Sequence, residues 1–498
     1  MKKNEKMRLR AAAVRAAGVL CALSFMLSLA SCSVITINYD KFGGKESDSS
    51  PVTDAATEPV TTEPADSGDD TVFVPPPPYE YTGKATAEEM LATVDFDFDG
   101  ETVFIRSTYE YGIEQIMAFT DEDDDAYSVA KYERCRMIED ALGCRLRYTV
   151  STLSEMKAEL KAAITGEKYY ADLLAVDAGD MVSLVRDGLL FNLYSLPFFD
   201  LKEEFFHPAT AGLAAGNSAF GVVSYATIDP DEIPCVFYDT GRTGSDIDAL
   251  VLSGNWTWDE LLTIAGDGGV SISADAPGDA ADRIAGITAA SAGLDFVSRE
   301  RGASPKTVLP DGITAVVDVC RRLTGDGVMI PSDGVAEFAA GHSVFHIGTL
   351  GDMKILADAD VVWSAAPVPG VTAGDEGYRA LMPETSLFMC VPVNTTNPSG
   401  ATALLRAFAA ASYAYLIDAY SEYSLYNTVR LESTVDMVAL IYGTAYYDFV
   451  RVYGSDDSDL YAATYALIAE AVGDSGADIE RLFSKRKIKA DSELGKLF

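Results

Sequence analysis

Histidine is scarce: three residues in 498, too few for a His-rich metal site and little for His-based catalysis. The seven cysteines are widely spaced with no CxxC pair, which excludes a disulfide framework and a zinc knuckle. Basic residues are short too. Lys and Arg total 38 against 76 Asp and Glu, giving a formal charge of −38 and a pI near 4.3. Nucleic-acid phosphates would be repelled, and so would an anionic lipid surface. No stretch after residue 31 has 18 uninterrupted apolar residues, so the body is not expected to cross a membrane. No P-loop, GxSxG or GxGxxG stands in a strand–turn–helix context. Hydrophobic residues make up 48% of the chain, which excludes disorder throughout and supplies a sizeable core.

The first 31 residues differ from the rest. Lys2, Lys3, Lys6, Arg8, Arg10 and Arg15 stand against Glu5 alone, and the apolar run Ala16 to Ala30 follows. A basic start and a run too short to span a bilayer read as a secretory signal over 1–31. It ends Leu29-Ala30-Ser31-Cys32, which resembles the lipobox of bacterial lipoproteins. Cys32 is the expected lipidation site, and several acyl chains would hold the protein stably where one would not. The expected location is the outer face of the cell membrane, with the lipid as the sole membrane contact.

Residues 43–79 are rich in Ser, Thr, Pro, Asp and Glu, with almost no large apolar side chains. Such a segment cannot bury enough surface to offset its ordering entropy. Residues 32–97 are therefore read as an acidic stalk, stiffened by Pro75 to Pro78. The folded body is expected over 98–498.

Within it, strands and helices alternate. Thr102 to Arg106, Leu146 to Val150 and the apolar run Ala171 to Val176 read as strands. Helices are expected over 127–142, stopped by Gly143, then over Leu153 to Ile164 and 180–187. Further on, Thr257 caps a helix over 257–265, and Ile313 to Leu323 is helical. Ser343 to Ile347, Val361 to Ala365 and Leu387 to Val393 read as strands, and the chain is mostly helical from Ser399. The alternation predicts parallel sheets with helical covers. Cys135, Cys144, Cys235, Cys320 and Cys390 read as buried thiols, with a bridge between Cys135 and Cys144, nine apart across a helix end, as the alternative.

Several segments resemble one family in order. Lys131 to Glu139 with Leu142-Gly143 resembles the YxRN helix of clostridial extracellular solute-binding lipoproteins of ABC transporters. Asp172-Leu173-Leu174 with Gly188 to Leu193, and Leu196 to Leu201, resemble their next two blocks. Gly254 to Leu261, Phe338 to Phe345, Ala365 to Pro369 and Arg430 to Met437 continue the series. Cys135 departs from the usual Asn, Phe205-Phe206 from a Trp-Trp pair, and Asp239 from a YNK element. The resemblance implies an α/β fold of the periplasmic-binding-protein-like type II: two α/β lobes with a hinge and a helical C-terminal part. Lobe 1 would cover about 98–234 plus the C-terminal helices and lobe 2 about 240–386, with Cys235 to Tyr238 and Phe388 to Val391 as hinge strands. It further implies a small-molecule ligand, a mono- or oligosaccharide, and ABC permease subunits as partners, with no catalysis, cofactor, metal or nucleic acid.

Ligands of open α/β sheets bind beyond the carboxyl ends of the strands. That rule selects Tyr109 and Glu110, Asp177, Tyr225, and Gly348 and Thr349. Packing competes as the role of the tyrosines, and helix capping as that of Asp177. Aromatic platforms and carboxylates suit a sugar's C–H faces and hydroxyls; Trp363 is a candidate on that ground, with core packing as the alternative, while Trp256 and Trp258 read as packing. Asp95 to Gly100 lacks the twelfth-position Glu of a calcium loop, and Asp121 to Asp125 lacks its glycine. His342 and His346 fall on a turn and a strand rather than one helical face. Ser154 to Lys157 matches SxxK without its companion motifs. A surface lipoprotein enzyme acting on polysaccharide, and a sensor or adhesin on the same fold, remain as other readings.

Overall fold

The computed structural model describes residues 82–116, 126–273, 277–325, 329–374, 377–429, 431–455 and 458–498. The signal, Cys32, the stalk up to 81, the Asp121–Asp125 run and Arg430 lie outside these residues.

Lobe 1 begins earlier than the sequence pattern indicates. Helix α1 (Thr82–Leu91) falls inside the range read as stalk. It packs on the long helix α9 (Pro398–Asn427), and Ala87, Leu91 and Val94 are buried. The body therefore reaches back at least to residue 82, where the expectation placed its start at 98. Next come β1 (Thr102–Ser107), α2 (Glu110–Ile116), α3 (Ala126–Leu142), β2 (Arg145–Val150), α4 (Leu153–Thr165), β3 (Leu173–Asp177) and α5 (Ala178–Arg186). Gly143 stops α3 at φ 56°, a left-handed turn that favours glycine. Thr152 and Glu155 close a capping box on α4, worth about 1 kcal/mol. Strand β4 (Gly221–Val222) ends the first pass through the lobe.

Lobe 2 holds β5 (Pro234–Asp239), α6 (Trp258–Ala265), β6 (Val270–Ser273), α7 (Pro277–Ser291), α8 (Ile313–Leu323), β7 (Met329–Ser332), β8 (Phe345–Thr349) and β9 (Trp363–Pro367). The chain returns through β10 (Ala380–Leu381) to β11 (Leu387–Cys390). After α9 come α10 (Glu432–Tyr442), β12 (Ala445–Tyr446), α11 (Phe449–Tyr453), α12 (Tyr465–Gly473) and α13 (Ile479–Leu494).

The strand order settles the architecture. Lobe 1 reads β2-β1-β3-β11-β4, and lobe 2 reads β7-β6-β8-β5-β9. The two orders are equivalent: three parallel strands, then one antiparallel strand supplied by the crossover, then an edge strand. Strand β11 enters sheet 1 antiparallel to β3, with Leu387 opposite Asp177. Strand β5 enters sheet 2 antiparallel to β8, with Pro234 opposite Thr349. Each lobe's sheet is completed by the strand that follows a crossing, which is the type II periplasmic-binding-protein arrangement.

Two expectations are corrected. The hinge strands are not free crossings: Cys235 to Tyr238 and Phe388 to Cys390 are inner strands of the two sheets, fully buried there. The crossings are the segments just before them, 223–233 and 382–386. The C-terminal helices do not belong to lobe 1 alone. Helix α9 covers α1 and α3, but α10 packs on β9, and α12 packs on α7 and α8. Helix α9 is apolar and long enough to cross a membrane by composition, yet 78% of that stretch is buried in the body.

The five described cysteines are buried and unbridged. Trp256 and Trp258 are core residues, their indole N–H groups donating to Pro367 O (2.8 Å) and Ser291 Oγ (3.1 Å). Arg134, on the helix that resembles the family motif, is fully buried, donates to Ser412 Oγ (3.0 Å) and lies over the Phe408 ring.

Candidate functional site between the lobes

The carboxyl ends of β1 and β3 and of β8 face one another across the crossings. On the lobe 1 side, the chain turns sharply after β1. Buried Ser107 donates to Tyr109 O (3.1 Å). Tyr109 is half-buried and reaches the crossing segment, donating from its hydroxyl to Thr385 O (3.3 Å). Burial raises its phenol strongly, and the charges of Asp177, Asp180 and Glu232 add to that. Asp177 ends β3 and caps α5, accepting from Asp180 N (2.8 Å). Burial raises its carboxyl, with Asp180 contributing.

The crossing 223–233 supplies the other wall. Asp229 caps a single turn, Pro230–Glu232, and accepts from Asp231 N (3.0 Å). Two lobe 1 side chains hold it: Tyr111 donates its hydroxyl, and Gln115 donates from Nε2 (2.6 Å). Asp231 accepts from Tyr420 (3.0 Å) and pairs with Lys354 of lobe 2. Glu232, the third acid, is pushed up to about 7, first by burial and then by Asp229. Its carboxyl is thus part-protonated near neutrality, where an exposed glutamate would be ionised.

Beside Glu232 lies a cavity of about 540 Å³, lined among others by Arg283, Thr349, Met382, Pro383 and Arg451. Arg283 donates to Ser273 O (3.1 Å), and Arg451 pairs with Glu384 (2.7 Å). Thr349 N donates to Asp352 Oδ2 (3.1 Å). A smaller cavity of about 170 Å³ lies behind, between Tyr111, Asp229, Lys354 and Tyr420.

No family model matches the chain, and no curated protein matches it. Solved structures do. A cyclo/maltodextrin-binding protein complexed with maltotetraose is 13% identical over 79% of this chain and 96% of its own, with a TM-score of 0.48. The cyclic alpha-maltosyl-1,6-maltose binding protein from Arthrobacter globiformis is 15% identical over 79% and 98%, also at 0.48. The Thermus thermophilus maltotriose binding protein is 11% identical over 79% and 100%, at 0.41. At these values nothing about ligand or partner passes from those proteins to this one.

Of the residues selected from sequence, Tyr109, Asp177 and Thr349 lie at the cleft. Glu110 is exposed at the start of α2. Gly348 is buried and serves packing: a Cβ there would sit 2.1 Å from Asp352 Oδ2 and 2.5 Å from His346 Nε2. Tyr225 is buried among the rings of Tyr413, Tyr442 and His207. Trp363 is a core residue, edge-on to Phe237, its indole donating to Leu356 O (2.9 Å), so it offers no platform. The histidines separate as expected: His342 bonds Glu337, and His346 is buried in lobe 2.

Sequence reasoning missed Glu232, Asp229, Thr385 and Ser386. The carboxyl-end rule fails for antiparallel crossover strands, whose amino ends face the cleft instead. The signal was available: the acid-rich, proline-bounded DPDEIP leads into the strand already singled out as a crossing.

Proposed function

We propose that the protein binds a carbohydrate between its lobes and delivers it to an ABC importer, tethered to the outer face of the membrane by lipid on Cys32. One observation carries the binding reading: two topologically equivalent lobes are joined by crossings that themselves line a cavity of mixed polar and apolar character. Ligand contacts made with both lobes favour the closed form, because only closure brings the two sets of groups together. Tyr109 offers a ring face, and the carboxyls, Thr349 and Thr385 offer partners for hydroxyls. The lipobox, the stalk composition and the ordered family segments support the anchoring and the importer.

The enzyme reading has one geometric candidate. Ser271 Oγ lies 3.1 Å from His346 Nδ1, and His346 Nε2 lies 3.1 Å from Asp352 Oδ2. Ser271 is fully buried and its hydroxyl also reaches Gly334 O (2.9 Å), so no substrate carbonyl can approach it. The arrangement braces lobe 2.

The test is calorimetric titration of the full chain in detergent with a panel of mono- and oligosaccharides. Saturable binding with a smaller radius of gyration in solution scattering is expected. Absence of binding across the panel overturns the carbohydrate reading.

A further inference from the structure

Basic residues are scarce in this chain, and they are not spread evenly. Residues 481–498 hold six of the 38 Lys and Arg against two acids, Asp491 and Glu493. Most of this segment is helix α13, whose inner face buries Phe483, Ala490 and Leu494. Arg481, Lys485, Ile488, Lys489 and Ser492 fall on the opposite side at helical spacing, and all five are exposed.

The acids near this face are engaged elsewhere. Asp491 Oδ1 accepts from Thr307 N and Oγ1, each at 2.7 Å. Glu493 pairs with Arg186 (3.3 Å) and accepts from Leu460 N (3.0 Å). Asp478 caps the helix, accepting from Arg481 N (2.9 Å), and Glu480 lies exposed on the flank. Of the outer-face cations only Lys489 comes near a carboxylate, Asp459 at 3.9 Å, with the lysine still 76% exposed. Among the described residues Arg481 and Lys485 pair with none. The net charge of −38 sets the long-range field and disfavours an anionic surface on average. Contact is decided within a Debye length, about 8 Å at physiological ionic strength, and at that range this face is cationic.

A second observation is independent of charge. Ile488, in the middle of the row, is 78% exposed. An apolar side chain flanked by lysines is the pattern of a helix lying in a lipid interface, where the ammonium groups meet phosphates and the apolar group enters beneath them. A hydrated polyanion would use the charges and leave Ile488 in water.

We propose that the outer face of α13 docks on an anionic phospholipid surface, with Arg481, Lys485 and Lys489 at the headgroup phosphates and Ile488 at the acyl boundary. The lipid on Cys32 is then not the only membrane contact, and the body is held at the bilayer where an importer sits. This goes beyond the carbohydrate reading, and it rests on the proposed anchoring only for placing a bilayer within reach.

The experiment mixes the full chain carrying Ile488→Trp with vesicles whose acyl chains are brominated. Trp256, Trp258 and Trp363 are buried in the body, so quenching reads position 488. Quenching is expected to be at least about threefold stronger with roughly one-third phosphatidylglycerol than with phosphatidylcholine alone. Raising the salt from about 0.05 M to about 0.5 M should bring it down to the phosphatidylcholine level, because screening shortens the reach of the charges. Adding Lys485→Glu and Lys489→Glu should do the same at low salt, with melting unchanged because both side chains are exposed. Equal quenching by the two lipid compositions, no quenching by either, or quenching that survives the charge reversal overturns the proposal. A mass that rises with concentration in detergent and falls with Lys485→Glu, without quenching, assigns the face to a second copy and also overturns it. Flotation with phosphatidylcholine vesicles reads the anchor separately: a chain that fails to float there yet is quenched by phosphatidylglycerol loses the anchoring reading and keeps this one.

Discussion

The two lobes share a strand order but finish their polar interiors differently. In lobe 2, Ser343 donates to Ser271 (3.0 Å), Ser271 bonds His346, and His346 bonds Asp352, which also caps the turn after β8. Each of these groups has a partner within the lobe. At the equivalent end of lobe 1, the hydroxyls of Thr108 and Ser151 have no partner among the described residues, and the carboxyls of Asp177 and Glu232 are raised by burial. A closed polar network specifies a fold; an open one at a strand end specifies something still to arrive. The contrast assigns structure to one set and binding to the other.

The sharpest way to break that contrast is His346→Leu. It removes two hydrogen bonds at a fully buried site, where Phe237 and Phe338 stack on the ring. A loss of about 2 kcal/mol is expected, because fully buried Ser271 loses one of its partners while part-exposed Asp352 regains water in place of the imidazole. Urea unfolding checks it, through a lower midpoint with the slope unchanged. Sugar affinity per folded molecule should stay within about twofold. A large affinity change at full stability would move His346 to the binding side.

Lobe 1 has its own buried histidine. His207 Nδ1 accepts from Ala209 N (3.2 Å), and burial pushes its pKa down to about 4. The folded protein keeps it neutral, while the unfolded chain protonates it near 6.5. Stability therefore falls as pH drops through 6.5 toward 4, by about 2 kcal/mol at pH 5. His207→Asn keeps an acceptor for Ala209 and cannot titrate. The stability lost between pH 8 and pH 5 should shrink by about 2 kcal/mol in that variant. An unchanged loss would place the acid sensitivity elsewhere.

What was legible in the sequence follows from which contacts are local. The apolar run ending in Val176, the left-handed stop at Gly143 and the Thr257 cap need only their neighbours, and strand and helices stand where those signals put them. Helix α1 was not legible, since its small residues gain burial only against α9, three hundred residues later in the chain. Tyr109, Asp177 and Thr349 follow from parallel strand direction. Glu232 and Ser386 depend on β5 and β11 entering their sheets reversed, a tertiary fact that no local pattern encodes.

The smallest effect tests the open side of the contrast directly. In the folded protein Glu232 is raised to about 7, above the usual glutamate value near 4.5. Its folded form favours the proton, so the stabilising contribution is complete below 4.5 and is lost as pH rises through 7. The side chain is part-exposed, and solvent screening limits the loss to about 1 kcal/mol, less than the raw shift would convert to. Glu232→Gln should therefore be more stable than the parent by about 1 kcal/mol at pH 8 and equal to it at pH 4.5, as melting curves at the two values would read. A gain of equal size at both pH values would mean that Glu232 costs packing rather than charge, and the lobes would then differ in shape alone.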